Sequence, residues 1–277
     1  MGYAKRFEIN PSVTIVTAYV ELPKIEGEWD RTRETYLEWM RSVLSIKQYM
    51  VIYVEEANVS FVKLHRRHVM PYTKIISVDV DRMMASDDYA NIKRIIDGRF
   101  MSHARRNDRI ELKVPLYNKI MFSKIDFVQE VLASNPFQTD YFFWMDAGFA
   151  HGLHKRLQYK RVIGRPWPNP EKNDLMKDTI LAVQTRDLSR SREIEGIFVH
   201  HDAMLSGNIW GGDRNRMLDF CSEFKKEVRW SFERNLMDDD QAIMTAVYIK
   251  HPEMFSLVDC SSSWRDRCYM LKYLDGK

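Results

Sequence analysis

The sequence predicts an α/β protein built on a parallel sheet flanked by helices. Three observations lead there. Runs rich in β-branched and aromatic residues, too apolar to face water on one side, recur along the chain. Segments with apolar residues at helical spacing separate them. Between Ser12 and Val80 the order strand, helix, strand, helix, strand is the rhythm of βαβ units covered on both faces.

The first strand is SVTIVTAYVEL, Ser12 to Leu22. Pro23 and Gly27 mark the loop after it, and Tyr36, Trp39, Met40, Val43 and Leu44 form a helical stripe. YMVIYVEE is the second strand; a short helix and a third strand, Lys74 to Val80, follow. The polar segment from Asp87 to Arg109 reads as a helical surface excursion. Leu116, Ile120, Phe127, Val131 and Leu132 set out a further helix that Asn135-Pro136 stops. Next comes YFFWM, 141 to 145, a strand buried on both faces. A basic, loop-like stretch with Pro166, Pro168 and Pro170 leads to two more expected strands, TILAVQT and GIFVHHDAMLSGNIWGG, the second closing on a glycine-rich turn. A helix with Met217, Phe220, Cys221, Phe224 and Val228 on one face follows. Asp238-Asp239-Asp240 then opens an apolar helix before a last short strand. With no linker and no repeat, residues 1–277 read as one domain.

Composition narrows the function classes. A net charge of +3 is too small to imply nucleic acid and suits a polyanionic small molecule equally well. No apolar run is long enough for a membrane span, and the N-terminus has no apolar signal core. Met-Gly begins the chain, but Arg6 stands where a myristoylation motif needs Ser or Thr. Three cysteines, Cys221, Cys260 and Cys268, without a CxxC pair fit reduced thiols and a cytoplasmic location.

Four places could carry chemistry. Asp146 follows a strand too apolar to need it, and ligands of parallel sheets bind beyond the carboxyl ends of strands. A carboxylate there can hold Mg²⁺ or Mn²⁺ while a phosphate supplies further oxygens; the same Asp-x-Gly would also serve as a turn cap. Ala147 and Gly148 leave room for a ligand. Ser206, Gly207, Asn208, Gly211 and Gly212 suggest an open turn presenting N–H groups, with Trp210 as a flat face for a sugar. The spacing is not that of a P-loop. In the aspartate triplet Asp238 is the expected N-cap, leaving the other two as base, sugar-hydroxyl acceptor or metal ligand. Asp79 and Asp81 form a rival metal pair. Arg31, Lys119, Lys124 and Arg165 are candidate partners for a diphosphate, and His200, His201 and His251 for a metal or phosphate.

Taken in order, Thr17-Ala18, RETYLEW, NPFQTDYFFWMDAG, SGNIWGG and DDDQAIM resemble a GT-A (Rossmann-like) glycosyltransferase, more narrowly the HtrL/YibB-like family, from about Val13 to Val258. Related transferases also occur in large DNA viruses of algae. The resemblance implies a mixed, mostly parallel sheet flanked by helices, with a donor-nucleotide half at about 12–150 and an acceptor half at about 151–277. It implies that Thr17, Ala18 and Tyr19 line a nucleotide-base pocket and that Asp146 is the metal-binding acid. Lys124 would contact donor phosphate or ribose, and Gly207, Asn208, Gly211 and Gly212 would shape the sugar and acceptor site. Asp239 or Asp240 would act near the reacting carbon. A full Asp-x-Asp needs an acid at position 148, which is Gly148 here, so the metal would rest on Asp146 and a distant group such as His251. The implied activity is transfer of a sugar from a nucleotide-diphosphate donor, a UDP-sugar such as UDP-xylose or a UDP-hexose, to a glycan acceptor with Mn²⁺ or Mg²⁺. Two other classes fit parts of the pattern: a metal-dependent phosphohydrolase or nuclease using Asp79, Asp81 and Asp146, and a nucleotide-sugar-binding protein without catalysis.

Overall fold

The computed structural model describes residues 9–22, 32–98, 109–151, 167–188, 193–261 and 269–275. Among these, seven strands form one sheet: β1 (Val13–Tyr19), β2 (Tyr49–Val54), β3 (Thr73–Ser77), β4 (Tyr141–Met145), β5 (Ile180–Gln184), β6 (Leu205–Asp213) and β7 (Phe255–Asp259). Their order is β3-β2-β1-β4-β6-β5-β7. The pairs β1–β2, β1–β4, β2–β3 and β5–β7 are parallel; β6 runs against β4 and β5. The apolar runs predict a parallel sheet; the mixed, mostly parallel sheet that the GT-A resemblance implies is the one formed, with β6 reversed.

The helices are α1 (Arg33–Leu44), α2 (Glu56–Arg66), α3 (Val80–Met84), α4 (Asp87–Ile96), α5 (Pro115–Ser134), α6 (Ile194–His200), α7 (Arg214–Glu233), α8 (Asp240–Lys250) and α9 (Tyr269–Tyr273). Strand alternation sorts side chains between two cores. Phe142 and Trp144 of β4 face α4, α5, α7 and α8, while Phe143 and Met145 face α1, α2 and α9. Both faces are therefore covered, which is why β4 is apolar throughout. Local signals set the helix ends. Thr32 caps α1 by accepting from Thr35 N, Pro115 opens α5, and Asn135 closes α5 in the left-handed region at φ 33°.

Three expectations are corrected. The stretch after Asp87 is no surface excursion: α4 buries Ile92, Ile95 and Ile96. GIFVHH is not strand but α6, because a short apolar run does not by itself distinguish the two. SGNIWGG is not a turn but the body of β6. Its glycines answer to close backbone approach: a Cβ on Gly211 would lie 2.3 Å from the Phe142 carbonyl oxygen, and one on Gly212 2.0 Å from that of Thr179.

From β1 the chain builds outward to β2 and β3, then returns to place β4 on the other side of β1. The β1/β4 boundary is thus a topological switch point, where helices diverge and a crevice opens at the strands' carboxyl ends. Among the described residues, no helix is long and apolar enough to cross a membrane.

Candidate functional site

A cleft of about 600 Å³ opens at this switch point. Ala18 and Tyr19 line it from the end of β1, Asp146 to Gly148 from beyond β4, and Lys124 and Tyr117 from α5. Because β6 is reversed, its beginning rather than its end reaches the cleft, delivering Gly207 and Asn208. Asp239, Asp240 and Gln241 complete the floor at the start of α8.

At the centre is one ammonium between two acids. Lys124 Nζ lies 2.9 Å from Asp146 Oδ1 and 2.8 Å from Asp240 Oδ2, and donates to the Gly207 carbonyl at 3.3 Å. These three contacts use all the donors an ammonium has. Burial alone would lower the Lys124 pKa, but the two carboxylates outweigh it and raise it, so the side chain stays charged. Asp240 is raised, first by burial and then by Asp146, against the opposing pull of Lys124. Asp146 also receives the Trp144 indole N–H at 2.7 Å on Oδ1, and its backbone N–H donates to the Asn208 carbonyl at 2.9 Å. Its side chain is 24% exposed, against 4% for Asp240. Asp146 is therefore the acid of the pair that reaches the open cleft.

The aspartate triplet divides its work differently from expectation. Asp239, not Asp238, is the N-cap of α8, accepting from Gln241 N at 3.0 Å and Gln241 Nε2 at 2.9 Å. Burial, with Asp238 and Asp240 adding their charge, raises Asp239 well above the usual carboxylate range. Asp238 is buried beneath the cleft, where Arg109 grips it with two hydrogen bonds of 3.2 and 2.9 Å. Burial pushes its pKa up, but His201 and Arg109 overcome that and hold it below the ordinary value.

The structure brings together Ala18, Tyr19, Lys124, Asp146, Gly207, Asn208, Asp239 and Asp240. It keeps others apart. Thr17 is buried inside β1 with no partner for Oγ1 among the described residues. Ser206 is buried, its hydroxyl accepting from Asn208 N at 3.4 Å. Trp210 is no open platform: it packs in the core against Trp144 and Phe220, with ring centroids 6.5 and 5.1 Å away. Gly211 and Gly212 sit within the sheet. His251 ends α8, the opposite end from Asp240 and about 16 Å along the axis; its neighbours are Glu223 and Glu253. Asp79 caps α3 by accepting from Arg82 N, away from the cleft lining. Lys119 pairs with Asp88 at 3.3 Å. Arg31, Arg165 and Cys268 lie outside the described residues, as does most of the Pro-rich basic stretch.

Sequence reasoning missed one wall. Tyr19, Tyr36, Trp39 and His151 form a ladder with successive ring centroids 5.8, 5.0 and 5.6 Å apart, all lining the cleft. Tyr36 and Trp39 look like core positions because they share the helical stripe with Met40 and Val43. Gly148 fits against this wall, where a Cβ would come within 3.3 Å of the Tyr36 ring. An Asp at position 148 would crowd the ladder.

The fit to a divalent cation follows from the free oxygens. Asp146 Oδ1 is taken by Lys124 and Trp144, which leaves Oδ2. No three His, Cys, Asp or Glu side chains converge as a metal cage among the described residues. One carboxylate oxygen suits Mg²⁺ or Mn²⁺ when phosphate oxygens and water complete the shell, as is usual for these ions.

A mostly parallel sheet with one reversed strand, opening at its switch point onto acids gathered around a buried lysine, defines an α/β protein with a polar cleft. The chain belongs to the HtrL_YibB family, described as a bacterial protein of unknown function, which matches it over residues 11–272. It is 21% identical to Protein HtrL of Escherichia coli (strain K12) over 281 residues, 96% of this chain and 95% of that protein. That relative is bacterial and lends nothing to an algal-virus affinity. Among solved structures, the chain is similar to mouse xyloside xylosyltransferase 1 in its apo form (TM-score 0.45, 11% identity, 93% of this chain and 90% of that one). It is also similar to 4-diphosphocytidyl-2C-methyl-D-erythritol synthase from Anaerococcus prevotii DSM 20548 (TM-score 0.42, 12% identity, 96% and 97%).

Proposed function

We propose that this protein is a glycosyltransferase that moves a sugar from a nucleoside-diphosphate donor, of the UDP-sugar type, to a hydroxyl of a glycan acceptor. The observation that carries this reading is the half-buried Asp146 carboxylate at the switch point, fixed from behind by Lys124 and facing a cleft large enough for a nucleotide sugar. Asp146 Oδ2 would hold Mn²⁺ or Mg²⁺. When bound, that ion offsets the negative charge developing on the leaving diphosphate.

The chain's own residues do the rest. Ala18 and Tyr19 at the end of β1 receive the nucleoside, with Thr17 behind them. Lys124 spends its donors on the two acids and the Gly207 carbonyl, so it positions Asp146 and Asp240 rather than gripping phosphate. Asn208 lines the cleft and would meet a sugar hydroxyl; its Nδ2 is buried and has no partner among the described residues. Asp240, fixed beside Gly207, places negative charge where positive charge grows at the anomeric carbon. Asp239, capping α8 beside it, holds that segment in register. Trp210, Gly211 and Gly212 frame the site from within the sheet. The aromatic wall of Tyr36 and Trp39 suits the apolar face of an acceptor sugar.

Purified protein with Mn²⁺ or Mg²⁺ is to be screened against a panel of nucleotide sugars, following nucleotide release. The expected result is release from one donor, lost with a chelator and reduced at least about 100-fold in Asp146→Asn. Failure to bind any nucleotide sugar would sink the reading. Phosphate release from simple phosphoesters would instead favour the hydrolase class.

A further inference from the structure

Lining the same cleft is a histidine that the reading above leaves without a task. His201 closes α6 at φ 54°, ψ 53°, the left-handed region where glycine is the inexpensive residue and a side chain carries a conformational cost. Its backbone is held there by Arg186, which donates to the His201 carbonyl at 3.1 Å. The ring stands 22% exposed on the cleft, with Nδ1 3.0 Å from Asp238 Oδ2.

The tautomer follows from Asp238. Oδ1 receives Arg109 Nη2 at 2.9 Å and the Asp239 N–H at 2.8 Å; Oδ2 receives Arg109 Nη1 at 3.2 Å. A buried carboxylate so surrounded by donors is ionised and only accepts hydrogen bonds. Nδ1 must therefore carry the proton it shares with Asp238, and in the neutral imidazole Nε2 is the nitrogen with the lone pair. Carboxylate, imidazole and open cleft then stand in the order of an oriented general base. The neighbouring acids are committed elsewhere: Asp240 Oδ2 accepts from Lys124, and both oxygens of Asp239 accept from Gln241.

We infer that His201 is the catalytic base of this cleft, taking the proton of the attacking acceptor hydroxyl, with Asp238 and Arg109 as positioning residues. The inference rests on the glycosyltransferase reading. In the step, the hydroxyl oxygen's lone pair forms the bond to the anomeric carbon. The bond from that carbon to the diphosphate oxygen breaks and its electron pair leaves with the nucleotide. The hydroxyl proton passes to Nε2, and Asp238 stabilises the resulting imidazolium. Among the described residues, Arg186 and Asp202 also flank His201 and pair with each other at 3.0 Å.

His201→Asn tests this, because the Asn amide can keep the bond to Asp238 while removing the base. Turnover should fall about 10²- to 10⁴-fold with donor affinity within about threefold, and the acid limb of the pH–rate profile should vanish. In the wild-type protein, ¹⁵N spectra of the imidazole above pH 8 should show Nδ1 protonated and Nε2 bare. Asp238→Asn should move the acid limb to lower pH, which a purely structural role would not do. Turnover of His201→Asn within about threefold of wild type, or an Nε2-protonated tautomer, overturns the assignment and leaves the transferase reading standing. A wild-type protein that releases nucleotide from no donor overturns both.

Discussion

Gly207→Ala is the sharpest small perturbation the site offers. The added Cβ would lie 2.2 Å from Asp240 Oδ2, 2.8 Å from Cγ and 3.0 Å from Oδ1, whereas ordinary contact begins at 3.4 Å. The carboxylate would have to retreat by roughly an ångström, enough to break its 2.8 Å contact with Lys124. Moving the strand instead would cost the bond from Lys124 to the Gly207 carbonyl. Breaking a buried ion pair costs about 3–5 kcal/mol, and Lys124 retains Asp146, so about 3 kcal/mol is expected. For a chain of this size that corresponds to a fall in Tm of about 5 °C. The sign is itself diagnostic, since Gly→Ala at an unstrained position stabilises by about 0.4–1 kcal/mol. Thermal unfolding followed by near-UV circular dichroism reads the effect. In an Asp240→Ala background the same change should cost under about 1 kcal/mol, because the clashing group has gone. Equal losses in both backgrounds, or a Tm within about 1 °C of the parent for Gly207→Ala alone, would refute the account.

Other expectations follow from the same charges. Lys124→Met leaves Asp146 and Asp240 facing each other unpaired and should cost about 3–5 kcal/mol at pH 7. Asp240 titrates above its ordinary value, so the loss should shrink on acidification, as denaturant titrations at pH 7 and pH 5 would show. Asp239→Asn keeps a good N-cap while removing a buried charge. Because the folded-state pKa of Asp239 is raised, its contribution is fully present below the unfolded value of about 3.9 and is lost as pH rises through the folded value. The Asn variant should therefore be more stable than wild type at pH 7 and equal to it near pH 4, checked by urea midpoints. Trp210→Phe removes a buried indole N–H that has no partner among the described residues. It should change stability by less than about 1.5 kcal/mol and leave donor affinity unchanged, by calorimetry, if Trp210 is core rather than sugar platform.

The sequence made β4 and its terminal acid legible because a strand buried on both faces writes a continuous apolar run, and Asp146 interrupts it. The helix through Lys124 was equally plain, and the lysine read as a contact for donor phosphate rather than as a buried partner of acids. Only the return of α8 from more than a hundred residues away reveals that it is buried between two acids. β6 was misread because Gly211 and Gly212 carry turn composition for another reason, the pressing of neighbouring backbones against them. His201 was legible only as one of three histidines that could meet a metal or phosphate, not as a base. Its importance lies in Asp238 and Arg109, which the chain supplies from distant segments and no local spacing encodes.

The reversed strand also has a consequence for how the molecule is made. The cleft draws on Ala18 at one extreme and Gln241 at the other, and β6 inserts between β4 and β5 only after both have left the ribosome. During synthesis, Lys124 and Asp146 emerge long before Asp240, and the acids that finish the floor arrive last. No stretch of chain ending before α8 contains the whole lining of the cleft.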